Sequence, residues 1–424
     1  MIHFLFKGLL RDRNRSILPI LVVTAGVTLT VFAYCYINGI LGDMIEFSAK
    51  YTSGHVKIMT RAYAENKNQV PNDLALIEVN DLLSNLHKDY PAMEFVQRIN
   101  FGGLLDAPDE NGETKEQGIV AGIAVDLLSE NTEEIDRINI RKSLRRGQLP
   151  QKPNEVLLSD EFAGKLEVGP GDQVTLITST MYGGMSIQNF IVAGTIEFGV
   201  QFMDRSGMIA DISGIQNALD MDDACGELLG FLDKTNYDDI AALNVETTFN
   251  EKYSDANDEF SPVMNRLKND SLLSGYFDYM DGAVGILITI FLLAMSIVLW
   301  NTGLIGGLRR YGEIGVRLAI GEEKGHVYRS MILESIFIGI IGSFLGTLVG
   351  LGFAYWLQEA GIDVGDLMKN SKMMMPTVFR AKITTPAYYL GFIPGLFSVV
   401  LGTMLSGIGI YKRKTASLFK ELEN

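Results

Sequence analysis

Four stretches of this chain carry no charged side chain: Ile17 to Leu41, Gly282 to Leu308, Ser335 to Gln358 and Ile383 to Tyr411, of 25, 27, 24 and 29 residues. A helix rises about 1.5 Å per residue and the hydrocarbon core of a bilayer is roughly 30 Å thick, so about 20 apolar residues cross it. Buried helices of soluble proteins have shorter apolar runs, about 10 to 14 residues. The four runs predict four transmembrane helices. They also explain why a chain with a formal net charge of −15 has a mean hydropathy just above zero.

The charge is divided unevenly. Residues 42–281 hold 41 acidic and 19 basic side chains, net −22, and the rest holds 10 acidic and 17 basic, net +7. Basic side chains flank the runs. Four lie in the stub 1–16, five in 309–334 (Arg309, Arg310, Arg317, Lys324, Arg329) and four in the tail (Lys412, Arg413, Lys414, Lys420). The positive-inside rule assigns these three segments to the cytoplasm. The expected layout is a cytoplasmic stub 1–16, spans at 17–41, 282–308, 335–358 and 383–411, and an outer domain 42–281. A cytoplasmic loop 309–334, an outer loop 359–382 and a cytoplasmic tail 412–424 complete it. The outer loop also holds four Lys/Arg and does not orient the chain by itself. The first run is longer than the apolar part of a signal peptide and no small-x-small site follows it closely, so it reads as a retained anchor.

Two cysteines, Cys35 in the first span and Cys225 in the outer domain, leave no disulfide within that domain. An outer domain without disulfides is compatible with a bacterial periplasm. Its sequence alternates strand and helix signals. His55 to Met59, Phe95 to Leu105, Gly118 to Val125, Glu155 to Leu158, Val174 to Thr178, Phe190 to Gly194, Met208 to Ile212 and Leu228 to Leu232 read as strands. Asp73 to His87, Asp160 to Leu166 and Asp255 to Leu273 read as helices, and Gly169-Pro170-Gly171-Asp172 as a turn. The pattern predicts an inner α/β lobe and a distal β lobe, with breaks near 105–115 and 235–245. The acidic excess reads as a solvated surface, and the basic cluster Arg137, Arg141, Lys142, Arg145, Arg146 as pairing with neighbouring Glu133, Glu134 and Asp136.

Catalytic signatures are missing. The histidines, His3, His55, His87 and His326, lie far apart, and there is no HExxH, CxxC, GxSxG or GxxxxGK[ST]. The expected assignment is a non-catalytic chain with no catalytic residue, cofactor, metal or nucleic-acid partner. The spans hold no Asp, Glu, Lys, Arg or His, the usual marks of an ion path. Met373-Met374-Met375 reads as an apolar contact surface and not a soft-metal site. In the third span Gly342, Gly346 and Gly350 recur every four residues on one helix face, where another backbone packs closely, within the chain or across a dimer.

The loop from Arg309 to Ser335 reads RRYGEIGVRLAIGEEKGHVYRSMILES. Glu313, Arg317, Glu322, Glu323 and Lys324 suggest a charged elbow below the membrane, bent at its glycines. Its EIGVRLAIG, Glu313 to Gly321, resembles the EIGxxRAxGA signature of FtsX-like permease domains of ABC transporters, departing at Leu318-Ala319 where the family often has Arg-Ala. EVLLSDEFAGKLEVGPGDQVTL (Glu155 to Leu176) resembles the periplasmic core of MacB-type permeases, and GHVKI (Gly54 to Ile58) the start of that domain in lipoprotein-release permeases. The chain thus resembles the MacB/FtsX-like superfamily, closest to the lipoprotein-release type.

The resemblance implies an α-helical protein of the bacterial inner membrane, with four transmembrane helices and a large α/β periplasmic domain between the first and second. It implies partners: an ABC ATPase subunit that binds the ATP, a second permease subunit, a periplasmic carrier or adaptor, and membrane lipid. Function is then periplasmic movement driven by ATP, releasing lipoproteins. The alternatives are a MacB-like exporter, which commonly carries a fused ATPase, and an FtsX-like activator of cell-wall hydrolases. The expected ATPase-coupling residues are Glu313, Gly315, Arg317, Ala319, Gly321 and Glu322. Gly342, Gly346 and Gly350 are expected to pack helices.

Overall fold

A computed structural model describes residues 13–412 except 110, 131, 200, 233–236, 270, 309–310 and 364–377. The stub up to residue 12, the tail from 413, Arg309, Arg310 and the run Met373–Met375 lie outside the described residues. The chain divides into two compact units, one holding the four apolar helices and the other comprising Asp43–Phe277 among the described residues.

The helices of the membrane unit are α1 (Arg13–Ser48, within it up to Gly42), α2 (Ser271–Leu308, within it from Asp278), α3 (Tyr311–Ala319), α4 (Lys324–Ala360) and α5 (Val399–Lys412). Among the described residues, four helices are long and apolar enough to cross a membrane. The helices run past the charge-based span limits, α1 to Ser48 and α2 from Ser271. Residues 324–334, assigned to a loop because they are charged, form the first turns of α4, since Val327 and Met331 bury one face of them. The fourth span is not one α-helix. A short helix Ala387–Leu390 leads into a π-helical turn, Ile393–Ser398, and then into α5. Pro394 lacks the N–H a regular helix needs there, and such a proline commonly accompanies an irregular turn.

In the outer unit the strands are β1 (Val56–Thr60), β2 (Leu76–Ile77), β3 (Met93–Pro108), β4 (Thr114–Val125), β5 (Leu144–Gly147) and β6 (Glu155–Ser159). They continue with β7 (Gln173–Ser179), β8 (Met185–Ile196), β9 (Gly207–Asp211), β10 (Ala224–Cys225), β11 (Glu227–Leu232) and β12 (Pro262–Arg266). Strand β3 is shared between two sheets. Its first half pairs with β11, up to Arg98 opposite Glu227, in an antiparallel sheet of order β12-β1-β11-β3. From Ile99 opposite Ala124 it pairs with β4, and the order β3-β4-β9-β6-β8-β7 returns to β3 through Leu104 opposite Ile177. The second half is therefore a six-stranded closed barrel, which leaves few free edges. The two lobes meet at residues 98–99, nearer the start of β3 than the expected break at 105–115.

The local chemistry matches these elements. Ser159 accepts from the Phe162 N–H at the start of helix Asp160–Lys165, and Asp211 from the Ser213 N–H at the start of Ile212–Leu219. Phe101 lies across the strand pair from Gly122, where its ring fills the space a side chain would take. The helix expected at 255–273 is a correction. The helix is Asp239–Tyr253, capped by Asp238, and the expected range holds β12, the turn Leu267–Asn269 and the start of α2. Pro262 opens β12, where its missing N–H costs no ladder bond. The outer edge of β12 is closed by side chains. Asn250 donates to the Met264 carbonyl at 2.9 Å and accepts from its N–H at 2.8 Å, and Glu246 accepts from the Arg266 N–H at 3.2 Å.

Cys35 and Cys225 are free and buried. The basic cluster is engaged locally: Arg137 with Glu94, Glu133 and Glu134, Arg141 with Asp136, Arg145 with Glu197, and Arg146 with Asp160.

Candidate functional site

The segment between α2 and α4 folds as a helix followed by a tight turn. On α3, Ile314 and Leu318 are one turn apart and face Val327 and Met331 of α4, forming a small apolar cluster. That packing fixes which face of α3 points away. Glu313, Val316, Ala319 and Ile320 lie on the exposed side, and Ile320 is 82% exposed. Gly315 is buried on the inner side. The turn closes with the Gly321 N–H donating to the Leu318 carbonyl at 3.1 Å and the Glu322 N–H to the Arg317 carbonyl at 3.1 Å. Gly321 has φ +101°, a conformation a side chain disfavours, so this glycine is required by the turn itself.

Arg317 and Glu322 bind each other. The guanidinium Nε donates to one carboxylate oxygen at 2.6 Å and an Nη to the other at 2.7 Å, the bidentate geometry that holds an arginine in one orientation. Hydrogen bonding to Glu322 pushes the Arg317 pKa up, and the same bond holds Glu322 below the usual carboxylate range. The polar pair expected to contact a partner also acts as a clasp that pins the turn. Its consequence is a fixed tip made of Val316, Ala319, Ile320 and Gly321. Ile320 and Val316 were not singled out from the sequence. The available signal was an isoleucine placed beside a turn glycine in a charged segment, where burial would otherwise be expected to take it inward.

The glycine seam lies within the chain. Val23, Val27 and Val31, four apart on α1, are fully buried against the face of α4 that carries Gly342, Gly346 and Gly350. A methyl group on Gly342 would meet Val23 at 2.6 Å, on Gly346 the Thr24 carbonyl oxygen at 2.7 Å, and on Gly350 the Thr28 carbonyl oxygen at 3.0 Å. The Thr28 hydroxyl donates to the Gly346 carbonyl at 3.2 Å across the same seam. Among the described residues no group of three or more His, Cys, Asp or Glu is placed to hold a metal ion.

Residues 285–415 match the family described as FtsX-like permease C-terminal. The lipoprotein-releasing system transmembrane protein LolC of Xylella fastidiosa is 26% identical over 235 residues, covering 53% of this chain and 54% of that protein. The macrolide export ATP-binding/permease protein MacB of Brucella abortus is 34% identical over 82 residues, covering 19% of this chain and 13% of that protein. The chain thus spans about half of the one relative and a small part of the other. The crystal structure of the periplasmic region of MacB from Actinobacillus actinomycetemcomitans aligns with 50% of this chain and 88% of that chain, at 9% identity and a TM-score of 0.34.

Proposed function

From the match of residues 285–415 to the FtsX-like permease C-terminal family, we propose that this chain is the permease subunit of an ABC transporter and takes its energy from a separate ATPase subunit. The observation that carries the proposal is the tip of the turn after α3. It is an exposed apolar knob, Val316, Ala319 and Ile320, between two membrane helices and set in one orientation by the Arg317–Glu322 clasp. A rigid apolar anchor with a charged surround is what a partner pocket grips. ATP binds the partner, and this chain supplies no catalytic group. In the proposed orientation the turn is cytoplasmic, the outer unit is periplasmic and the membrane is the bacterial inner membrane. A second permease subunit completes the transporter.

The proposed substrate is a lipoprotein lifted from the outer leaflet of that membrane and passed to a periplasmic carrier. Support comes from the extent of the LolC likeness, which runs through 53% of the chain, whereas the MacB likeness covers 19%. The uncharged runs contain no Asp, Glu, Lys, Arg or His, which suits a cargo that does not cross the membrane. A MacB-like exporter working with a periplasmic adaptor is the second reading, favoured by the higher local identity of the MacB relative. Depletion of the chain followed by membrane fractionation separates the two. Lipoproteins accumulating in the inner membrane support release, and an unchanged distribution with increased sensitivity to exported compounds supports the exporter.

A further inference from the structure

Helix α1 runs without a break to Ser48 and continues as a π-helical turn, Ala49–Ser53, before Gly54 redirects the chain into β1. The last carbonyls of a helical segment have no partner within it and carry the negative end of its dipole. Here Arg98 supplies the partner. Its Nη atoms donate to the Tyr51 carbonyl at 3.1 Å and the Lys50 carbonyl at 3.5 Å, while Nε donates to Glu134 at 3.1 Å and an Nη also reaches Glu134. Arg98 and Glu134 are 3% and 1% exposed, so these bonds are made away from water.

The position of Arg98 gives the contact its meaning. It is the last residue of β3 that pairs with β11, and the next residue is the first that pairs with β4 of the barrel. Glu134 extends the network to Arg137, which binds Glu94 and Glu133 and lies 4.3 Å over the Phe231 ring of β11. Tyr51, beside the two carbonyls, packs against the second apolar core with Val125, Ile138 and Phe198. A planar fork with five donors can serve two carbonyls and a carboxylate at once, which a lysine ammonium cannot reproduce in that geometry.

We propose that Arg98 is a positioning residue for force transfer: it fixes the helical segment 49–53 to the junction of both sheets, so that a displacement of that segment moves the barrel instead of being absorbed in the π-turn. The transfer half of this inference rests on the ATP-driven reading above, and the clamp half does not.

Two variants test it, Arg98→Lys, which keeps the charge and loses the fork, and Glu134→Gln, which keeps the shape and tests the clamp should the first fail to fold. Spin labels at Thr52→Cys and Gln188→Cys, both exposed sites, report the distance between segment and barrel in the full chain, and the native cysteines are buried. The expected result is a narrow distance distribution in the otherwise native chain and a broadened one in both variants. In the reconstituted complex, ATP hydrolysed per substrate released should rise about five-fold in each variant at an unchanged hydrolysis rate, within the range by which one residue of a coupled network alters coupling. Unchanged distributions in folded variants overturn the clamp. Broadened distributions with unchanged ATP use overturn force transfer. A native complex that releases no substrate on ATP addition overturns the proposed function instead, and the label distances then decide the clamp alone.

Discussion

Between α1 and α4, three fully buried valines lie over three glycines, and the bond across the seam is a threonine hydroxyl to a carbonyl. In the outer unit, strands and helices enclose a large aliphatic and aromatic core, and buried ion pairs such as Arg98–Glu134 and Lys57–Glu227 accompany it. The difference follows from the solvent. Lipid tails are as apolar as valine, so burying valine in the membrane gains little, and the helices are held by the number of atoms brought into contact. Removing side chains from one face brings the backbones together. In water the core itself is stabilising, roughly 25 cal/mol for each Å² of apolar surface removed, which leaves room for charged groups that cost free energy but fix orientation.

That contrast is open to direct attack. The largest effect is expected at Phe162, a ring 1% exposed whose edge packs on Gly118. Phe162→Ala should cost the outer unit about 3–5 kcal/mol, measured by denaturant unfolding followed through fluorescence and near-ultraviolet dichroism. In the seam the damaging change is an addition. Gly346→Ala should cost about 1–3 kcal/mol through overpacking, read as loss of helical signal on heating in detergent. Gly352→Ala on the same helix, where nothing lies within 4 Å, should be neutral or slightly stabilising. Equal effects of the two alanines would remove the claim that close approach holds the seam. Asn250→Ala should cost about 1 kcal/mol and speed hydrogen exchange at the Met264 amide, because the side chain that closes the β12 edge is gone.

The smallest effect concerns the clasp. Glu322 has its pKa depressed by Arg317, so its contribution is present above the usual carboxylate range and fades as pH falls below it. Being partly exposed, the pair should contribute less than about 1 kcal/mol. Exchange at the Glu322 amide should therefore be steady from neutral pH down to about pH 5, once corrected for intrinsic rates, and lose protection below about pH 4. Glu322→Gln should show the weakened protection at every pH.

The parts of this fold written locally were readable from the sequence, and the parts written by distant pairing were not. Uncharged runs announce membrane helices because the bilayer tolerates little else, and strands such as Glu155 to Ser159 announce themselves by β-branched and leucine-rich patches next to a serine cap. Helix Asp239–Tyr253 was hidden because its buried positions include Ala242 and Glu246, a small residue and a charge. Closure of the barrel depends on Leu104 meeting Ile177, a pairing no local pattern encodes. At the turn, the glycines and charges were legible as an elbow. That Arg317 would reach Glu322, and so leave Ile320 as the outward group, depends on how Ile314 and Leu318 seat α3 on α4.

The central claim is that the tip of this turn is where the ATPase docks. Its most direct measurement is the amount of ATPase subunit, identified by its nucleotide-binding motif, that co-purifies with the tagged full chain from its native membrane. Ile320→Glu places a charge on the exposed apolar tip without touching the core. The account predicts that this variant inserts normally and retains about a tenth or less of the ATPase, the loss expected for an anchor worth roughly 1.4 kcal/mol or more. An Ile320→Glu chain that carries a full complement of ATPase would contradict it.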